Sequence, residues 1–245
     1  MRHYVMTRSS YGPEWDIEAN RRRLVITEAV TAELLAQQTC DDFSWVVLLD
    51  ERDPLWEERV DLMMKTVGVT RAHPVFWVPQ DPEPASWDRA KRHTESQKVA
   101  ATAYKSNAWR RAAGPRDDQV LMTRLDDDDG LAVDAIARFQ HAAVGLEERT
   151  ALMLPVGVRV YDGRFSWVRH PTNAMHTLST PPGDDTTVYD YGHRLVERGQ
   201  PVKTVDQHAG WIWVRHPDTI SGWKKADNKI NGTIRRLFPI DWSAL

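Results

Sequence analysis

Short apolar runs recur along the first half of the chain and predict strands. They cover Tyr4 to Thr7, Phe43 to Asp50, His73 to Val78 and Gln119 to Leu125. The second of these holds five consecutive apolar residues before an acid, which is typical of a strand that is buried on both faces.

Between these strands, apolar residues fall at helical spacing. In Arg22 to Gln38, the residues Ile26, Ala29, Val30 and Leu34 recur three or four positions apart. Helices are also predicted over Pro54 to Thr66, Trp87 to Arg111 and Leu131 to Ala143. Strands that alternate with helices indicate an α/β fold with a mainly parallel sheet.

The pattern changes in the second half, where antiparallel strands are predicted. Ala151 to Val160 and Phe165 to Val168 flank Asp162-Gly163, a dipeptide that favours a two-residue hairpin turn. A helix is predicted over Thr186 to Arg198, ending at a glycine, and a short strand over Trp211 to Val214. Because no repeat or linker interrupts the chain, we expect a single domain over residues 1–245.

Composition narrows the class of protein. The 245 residues are 41% hydrophobic and 27% charged, which indicates a packed core rather than disorder. The net charge of -3 gives no bulk attraction to nucleic acid or anionic membranes. A single cysteine, Cys40, excludes an intrachain disulfide, and no apolar run approaches the roughly 20 residues that span a bilayer. With no signal-peptide pattern at the N-terminus, we expect a cytoplasmic location.

The strongest chemical signal is the run Asp126-Asp127-Asp128-Asp129, directly after a predicted strand. Four adjacent carboxylates repel one another, and a divalent cation among them relieves that repulsion. Hard oxygen ligands suit Mg²⁺ or Mn²⁺, and open α/β sheets bind ligands at the carboxyl ends of their strands. The alternative is an acid-rich helix N-terminus, a role that Asp129 can fill.

Three segments in this order resemble the GT-A-fold glycosyltransferases, and among them the rhamnosyltransferase family. They are the helix and strand from Arg21 to Glu51, the stretch from Thr123 to Asp129, and Trp211 to Ser221. The resemblance covers most of the chain. It implies a GT-A-like, Rossmann-related α/β fold: a mostly parallel sheet with helices on both faces and a smaller antiparallel acceptor-side portion. Residues 1–130 would form the nucleotide-sugar-binding half and 131–245 the acceptor-side half.

The resemblance also implies roles at the diphosphate of the donor. Asp126 and Asp128 would face a Mn²⁺ or Mg²⁺ ion that bridges the nucleotide diphosphate, with Asp127 beside them. His216 would complete the metal or diphosphate shell; the alternative is a structural histidine.

Other residues would hold the nucleoside and serve the acceptor. Asp50 would contact the nucleoside, or else cap the turn after its strand, and Thr7 and Arg8 would lie beside the base and ribose. An inverting enzyme needs a carboxylate that deprotonates the acceptor hydroxyl. Asp185, and after it Asp184, is the candidate base because it precedes the predicted late helix; the alternative is a helix N-cap.

The resulting hypothesis is a hexosyl or deoxyhexosyl transferase that moves a sugar from a nucleotide-diphosphate sugar to an acceptor hydroxyl, with inversion. The acceptor is a glycan, a lipid-linked sugar, a small molecule or a modified nucleic acid. The alternatives are a nucleotidyltransferase or metal-dependent phosphohydrolase on a related fold, and a non-catalytic sugar- or nucleotide-binding module. The lack of a glycine-rich, lysine-containing N-terminal loop argues against the nucleotidyltransferase.

Overall fold

The strands form two sheets in a computed structural model of the chain, which describes residues 1–9, 17–50, 52–76, 118–190, 199–215 and 228–244. Within this part, seven strands make up the first sheet and five the second. The strands are β1 (Arg2–Arg8), β2 (Ser44–Leu49), β3 (Ala72–Phe76), β4 (Val120–Asp126), β5 (Asp129–Leu131), β6 (Thr150–Met153), β7 (Val156–Tyr161), β8 (Arg164–Arg169), β9 (Thr177–Thr180), β10 (Val202–Thr204), β11 (Ala209–Val214) and β12 (Asn228–Lys229).

The first sheet has the strand order β10-β6-β9-β4-β1-β2-β3. Strands β1 to β4 are parallel to one another, as are β6 and β10, and β9 runs antiparallel between β4 and β6. The second sheet, β12-β8-β7-β11-β5, is antiparallel at every junction except that of β7 with β11. The expected α/β fold, with a mostly parallel sheet and a smaller antiparallel part, is confirmed.

The helical segments of the described residues are α1 (Ile17–Ile26), a π-helical turn (Thr27–Ala32), α2 (Glu33–Ala36), α3 (Trp56–Val67), α4 (Ala135–Ala143), α5 (Gly232–Leu237) and a 3-10 turn (Trp242–Ala244). The first three follow one another without a break. The π-helical turn directs the hydroxyls of Thr27 and Thr31 to the backbone carbonyls of Asp127 and Asp129, each at 2.7 Å. No helix in the described part of the chain has the length and apolarity needed to cross a bilayer.

Both faces of the first sheet are buried. Val5 and Val47 point into the larger apolar core, to which α2, α3 and α4 contribute. Met6 and Val46 alternate with them and pack on the opposite face, where Tyr189 covers the sheet.

Two elements differ from the sequence-based prediction where the chain passes from one sheet to the other. The helix expected over Leu131 to Ala143 begins only at Ala135, because Asp129–Leu131 pairs with β11 as a strand. Asp129 therefore does not lie at a helix N-terminus. The single strand expected over Ala151 to Val160 is two strands in different sheets, separated at Pro155, which has no amide proton to donate.

The late helix does not begin at Thr186. Residues 186 and 187 lie in no helix, and 188–190 form a turn in which the Thr187 amide donates to Asp190 Oδ2 at 2.7 Å. Residues 191–198 and the predicted helix from Trp87 to Arg111 lie outside the described residues. The hairpin between β7 and β8 is confirmed, with positive φ angles of 50° and 64° at Asp162 and Gly163.

Candidate functional site

The first sheet changes its direction of growth between β1 and β4. From β1 the sheet extends through β2 to β3, whereas β4 returns to the other side of β1. Open α/β sheets bind ligands at such a reversal, outside the carboxyl ends of the strands. Arg8 and Asp126 are register partners at the ends of β1 and β4, and Asp50 follows β2 at the same edge. The acidic run therefore begins where this topology favours a ligand.

The acidic run also connects the two sheets. Asp126 ends β4 in the first sheet, and Asp129 begins β5 in the second. The next residue, Gly130, has no side chain where α2 approaches closely: a Cβ at this position would lie 2.3 Å from Leu34 Cδ1. The four carboxylates consequently point into different surroundings.

Asp126 lies on the face of the sheet that Tyr189 covers. Arg124 Nη2 is 3.4 Å from Asp126 Oδ1, and the Arg124 guanidinium lies 5.3 Å from the centroid of the Tyr189 ring. The Tyr189 hydroxyl donates to the Met6 carbonyl at 3.0 Å, and burial raises the pKa of Tyr189. With 24% of its side chain exposed, Asp126 keeps surface for a ligand.

Asp127 is fully buried and bound on both of its carboxylate oxygens. Arg23 Nε and Nη2 contact Oδ1 at 2.7 and 2.6 Å, and the Ser9 hydroxyl donates to Oδ2 at 2.8 Å. Ser9 in turn accepts from Arg59 at 2.9 Å, and Arg59 pairs with the buried Asp53 at 3.0 Å. Asp127 thus anchors the acidic run to α1 and, through Ser9, to α3.

Asp128 is more open than Asp127, with 13% of its side chain exposed. Its Oδ2 lies 3.6 Å from Arg23 Nη2, beyond hydrogen-bond distance. Burial opposes the charge on Arg23, but the carboxylates of Asp127 and Asp128 raise the pKa of Arg23 above its usual value. The arginine is therefore positively charged beside both acids.

Asp129 belongs to the second sheet, where its Oδ1 accepts from the Val214 amide at 3.1 Å. Burial, and next the charge of Asp128, raise the pKa of Asp129, whereas Arg215 lowers it. Each of the four acids therefore has a nearby cation: Arg124 for Asp126, Arg23 for Asp127 and Asp128, and Arg215 for Asp129. Arginines as well as a metal ion can relieve the repulsion that the sequence predicts.

The acids of the run differ in how well they can ligate a metal ion. No group of three or more His, Cys, Asp or Glu among the described residues is arranged to hold one. Mg²⁺ at phosphate sites is bound by one or two carboxylates together with substrate oxygens. Asp126 and Asp128, the two more exposed acids of the run, fit that smaller set of ligands. His216 lies outside the described residues.

The residues expected at the nucleoside differ in accessibility. The buried Asp50 carboxylate accepts from Arg52 Nε at 2.9 Å and Nη2 at 2.5 Å, and from the Arg52 amide at 2.9 Å. Asp50 thus caps this turn and holds Arg52, 42% exposed, at the carboxyl edge of the sheet. The Thr7 hydroxyl is buried and accepts from Trp45 Nε1 at 2.9 Å, whereas Arg8 is partly exposed.

The structure does not bring Asp184 or Asp185 together with the acidic run. β9 is antiparallel to β4, and the last residue of β9 pairs with the first residue of β4. The chain therefore leaves β9 beside the amino end of β4. Asp184 lies 3.5 Å from Arg149 Nη1 and accepts from the Thr186 amide at 2.8 Å, and Asp185 is exposed. The acidic run lies at the opposite end of β4.

A different late acid lies nearer to the site. After Asp185 the chain crosses the sheet, so that Tyr189 contacts Met6 and Arg124 toward the carboxyl ends of β1 and β4. Asp190 follows directly and is partly buried. The sequence pattern places the start of the late helix at Thr186 and so selects acids before that residue, which leaves Asp190 out.

A family model described as "Putative rhamnosyl transferase" matches residues 15–228. No curated protein matches the sequence significantly. Among solved structures, the chain is similar to S. aureus TarS, at 12% identity and a TM-score of 0.44 over 89% of this chain and 37% of that one. It is also similar to mouse xyloside xylosyltransferase 1 in its apo form, at 11% identity and a TM-score of 0.45, with 84% and 85% of the two chains covered. The chain thus spans 37% of the length of TarS.

Proposed function

The chain belongs to the family of glycosyltransferases described as "Putative rhamnosyl transferase", and from this membership we propose that it transfers a hexosyl or deoxyhexosyl group from a nucleotide-diphosphate sugar to an acceptor hydroxyl. The proposed reaction inverts the configuration of the sugar and depends on a divalent cation. The proposed enzyme has a GT-A-like fold.

One observation carries the proposal: the acidic run lies at the reversal of the strand order. Asp126 ends β4 beside Arg8 of β1, so carboxylates and a guanidinium meet at the edge where such sheets bind nucleotides. We assign Arg8 and the Asp50–Arg52 pair to the nucleoside side of the donor. Thr7 contributes through its backbone, because its hydroxyl accepts from Trp45 in the core.

Asp126 and Asp128 would hold a Mn²⁺ or Mg²⁺ ion, and His216 remains a predicted additional ligand. When bound, such an ion neutralises charge on the diphosphate leaving group. Asp127 holds the acidic run in place, because Arg23 and Ser9 bind its two carboxylate oxygens.

The proposed base is Asp190. An inverting transferase needs a carboxylate that accepts the proton of the acceptor hydroxyl. Asp190 follows Tyr189, whose ring contacts the arginine that pairs with Asp126. Asp185 and Asp184, the candidates from the sequence, follow β9 at the amino end of β4, away from the acidic run. A glycan, a lipid-linked sugar, a small molecule or a modified nucleic acid serves as acceptor, and the reaction takes place in the cytoplasm.

Calorimetric titration with UDP, GDP and dTDP, each with Mn²⁺ or with EDTA, tests the proposal. We expect one nucleotide to bind, and to bind only with the cation. Equal affinity in EDTA contradicts the metal role, and no binding of any nucleotide contradicts the donor class. Cleavage of a nucleotide sugar within its diphosphate, to a nucleoside monophosphate and a sugar phosphate, at a rate that no acceptor increases would favour a phosphohydrolase instead.

A further inference from the structure

One face of the second sheet carries a row of polar and aromatic side chains that the proposed chemistry does not use. Ser166 of β8 is the register partner of Arg159 of β7, Arg159 is the partner of Trp213 of β11, and Trp213 is the partner of Asp129 of β5. Register partners on neighbouring strands project from the same face. The row therefore leads from the acidic run across four strands.

Trp213 forms a rigid aromatic surface in this row. It is partly exposed, and its ring packs against the buried Trp211 at a centroid distance of 4.6 Å and against His170 in a T-shaped arrangement at 5.8 Å. Gly157 makes room for Trp211, because a Cβ there would lie 2.1 Å from the Trp211 ring. The contacts hold the indole in one orientation before any ligand binds.

Two guanidiniums lie at this surface. Arg215 lies 4.9 Å from the centroid of the Trp213 ring, and its Nε is buried without a hydrogen-bond partner among the residues that the structure describes. Burial, and next the positive charge of Arg215, lower the pKa of Arg159, so the two cations are close enough to repel each other. Asp129 already lies near Arg215, and a further negatively charged group between the two arginines would accept from the buried Nε and add a counter-charge for both guanidiniums.

We propose that Trp213, Arg159 and Arg215 form a subsite for an anionic sugar, with the sugar ring on the indole and a carboxylate or phosphate between the two arginines. This inference rests on the proposed function, because it assigns the subsite to the acceptor. Neighbouring strands are roughly 4.8 Å apart, so Arg159, two strands away, is roughly 10 Å from Asp129. The Arg159 end of the subsite therefore lies beyond the acids assigned to the donor diphosphate.

Ligand-observed NMR on the full chain without donor tests the subsite with three probes: glucose, glucuronate and glucose 6-phosphate. We expect at least one anionic sugar to bind roughly tenfold or more tightly than glucose, as charge-assisted hydrogen bonds require. Arg159→Gln and Arg215→Gln should each remove that preference. A matched control is Arg169→Gln, which lies on the opposite face of β8 and should keep it. The two anionic probes distinguish a carboxylate from a phosphate as the recognised group.

Equal binding of glucose and both anionic sugars overturns the subsite, as does a preference that survives both arginine variants. Thermal shifts with UDP, GDP and dTDP in the presence of Mn²⁺ are measured on the same variants. If Arg159→Gln removes nucleotide binding, the arginines serve the donor diphosphate and the acceptor assignment is wrong. If no nucleotide binds the wild-type chain while the anionic sugar does, the proposed donor fails and the subsite stands.

Discussion

Arg23 Nε and Nη2 contact the same carboxylate oxygen of Asp127, 104 residues later in the chain, at 2.7 and 2.6 Å. The contact fastens α1 to the segment between the two sheets. It also places a cation 3.6 Å from Asp128, one of the two acids that we assign to the metal. Arg23 therefore affects both the stability of the fold and the proposed metal site, and substitutions can separate these two roles.

Replacing Arg23 with Met should lower the free energy of unfolding by about 3 kcal/mol, because it leaves the buried charge of Asp127 without its main partner. Urea denaturation measures the loss. The double variant Arg23→Met/Asp127→Leu should recover much of it, because an apolar pair replaces the ion pair. Arg21→Met is the control: Arg21 is 61% exposed and pairs with Glu18 at 3.8 Å, so it should change stability little. A loss for Arg23→Met no greater than for Arg21→Met contradicts the role of the pair.

Asp127 and Asp128 should respond in opposite ways to replacement by Asn. Asp128→Asn should abolish the Mn²⁺-dependent thermal shift with nucleoside diphosphates, while the melting temperature of the free protein stays the same or rises as acid repulsion falls. Asp127→Asn should lower the melting temperature of the free protein but keep a ligand-induced shift. Thermal-shift measurements with Mn²⁺ or EDTA compare the two. A full ligand shift in Asp128→Asn would contradict the proposed metal site.

Asp190→Asn should reduce the turnover number by roughly 10² to 10⁴ and leave donor affinity unchanged, because the amide keeps the shape of the carboxylate and accepts no proton. The rate of sugar transfer to the acceptor, or to water, is the measurement. Asp185→Asn and Asp184→Asn are the matched comparisons, and we expect them to stay near wild type. Loss of turnover in either of these, with normal Asp190→Asn, would show that the sequence-based choice of base is right.

His3 predicts a dependence of stability on pH. Its Nε2 lies 2.7 Å from Thr123 Oγ1, and burial lowers the pKa of His3 from 6.5 to about 3. Between these values the unfolded chain binds a proton that the folded chain does not, so stability is lost as pH falls below about 6.5. Between pH 7 and pH 5 the wild type should lose about 2 kcal/mol more than His3→Gln, measured by urea denaturation at both pH values.

The exposed His141 on α4 provides the control for that measurement. His141→Gln should follow the wild type across the same pH range. If His3→Gln and wild type lose stability in parallel, His3 does not remain neutral in the folded chain.

Hydrophobic periodicity predicts those helices and strands whose own residues show which face is buried. The strand from Ser44 to Leu49 and the helix from Trp56 to Val67 lie close to their expected positions for this reason. The strand Asp129–Leu131 was not predicted, because three residues carry no measurable period and their pairing with β11 lies some 80 residues away in the chain. Local pattern cannot reveal a partner at that separation.

The acids of the site were predicted, whereas their cations were not. Four consecutive carboxylates are visible in any reading of the sequence, but Arg23 and Arg215 lie about a hundred residues to either side. Only the requirement that buried charges be paired indicates that such arginines exist, and it does not identify them. Asp190, the base that we propose, was not selected from the sequence because the boundary of a helix is the least certain part of a periodic pattern, and residues 186 and 187, where the pattern begins, lie in no helix.

Only Asp127 and Asp128 lie between the last residue of β4 and the first residue of β5. Fully extended, the chain spans at most about 11 Å from the Cα atom of Asp126 to that of Asp129. The link between the sheets therefore has almost no slack. A ligand that draws Asp126 and Asp128 together must also hold the adjoining edges of the two sheets at a fixed separation. Donor binding should therefore slow amide hydrogen exchange in β4 and in β5 to the same degree, as in a single cooperative unit.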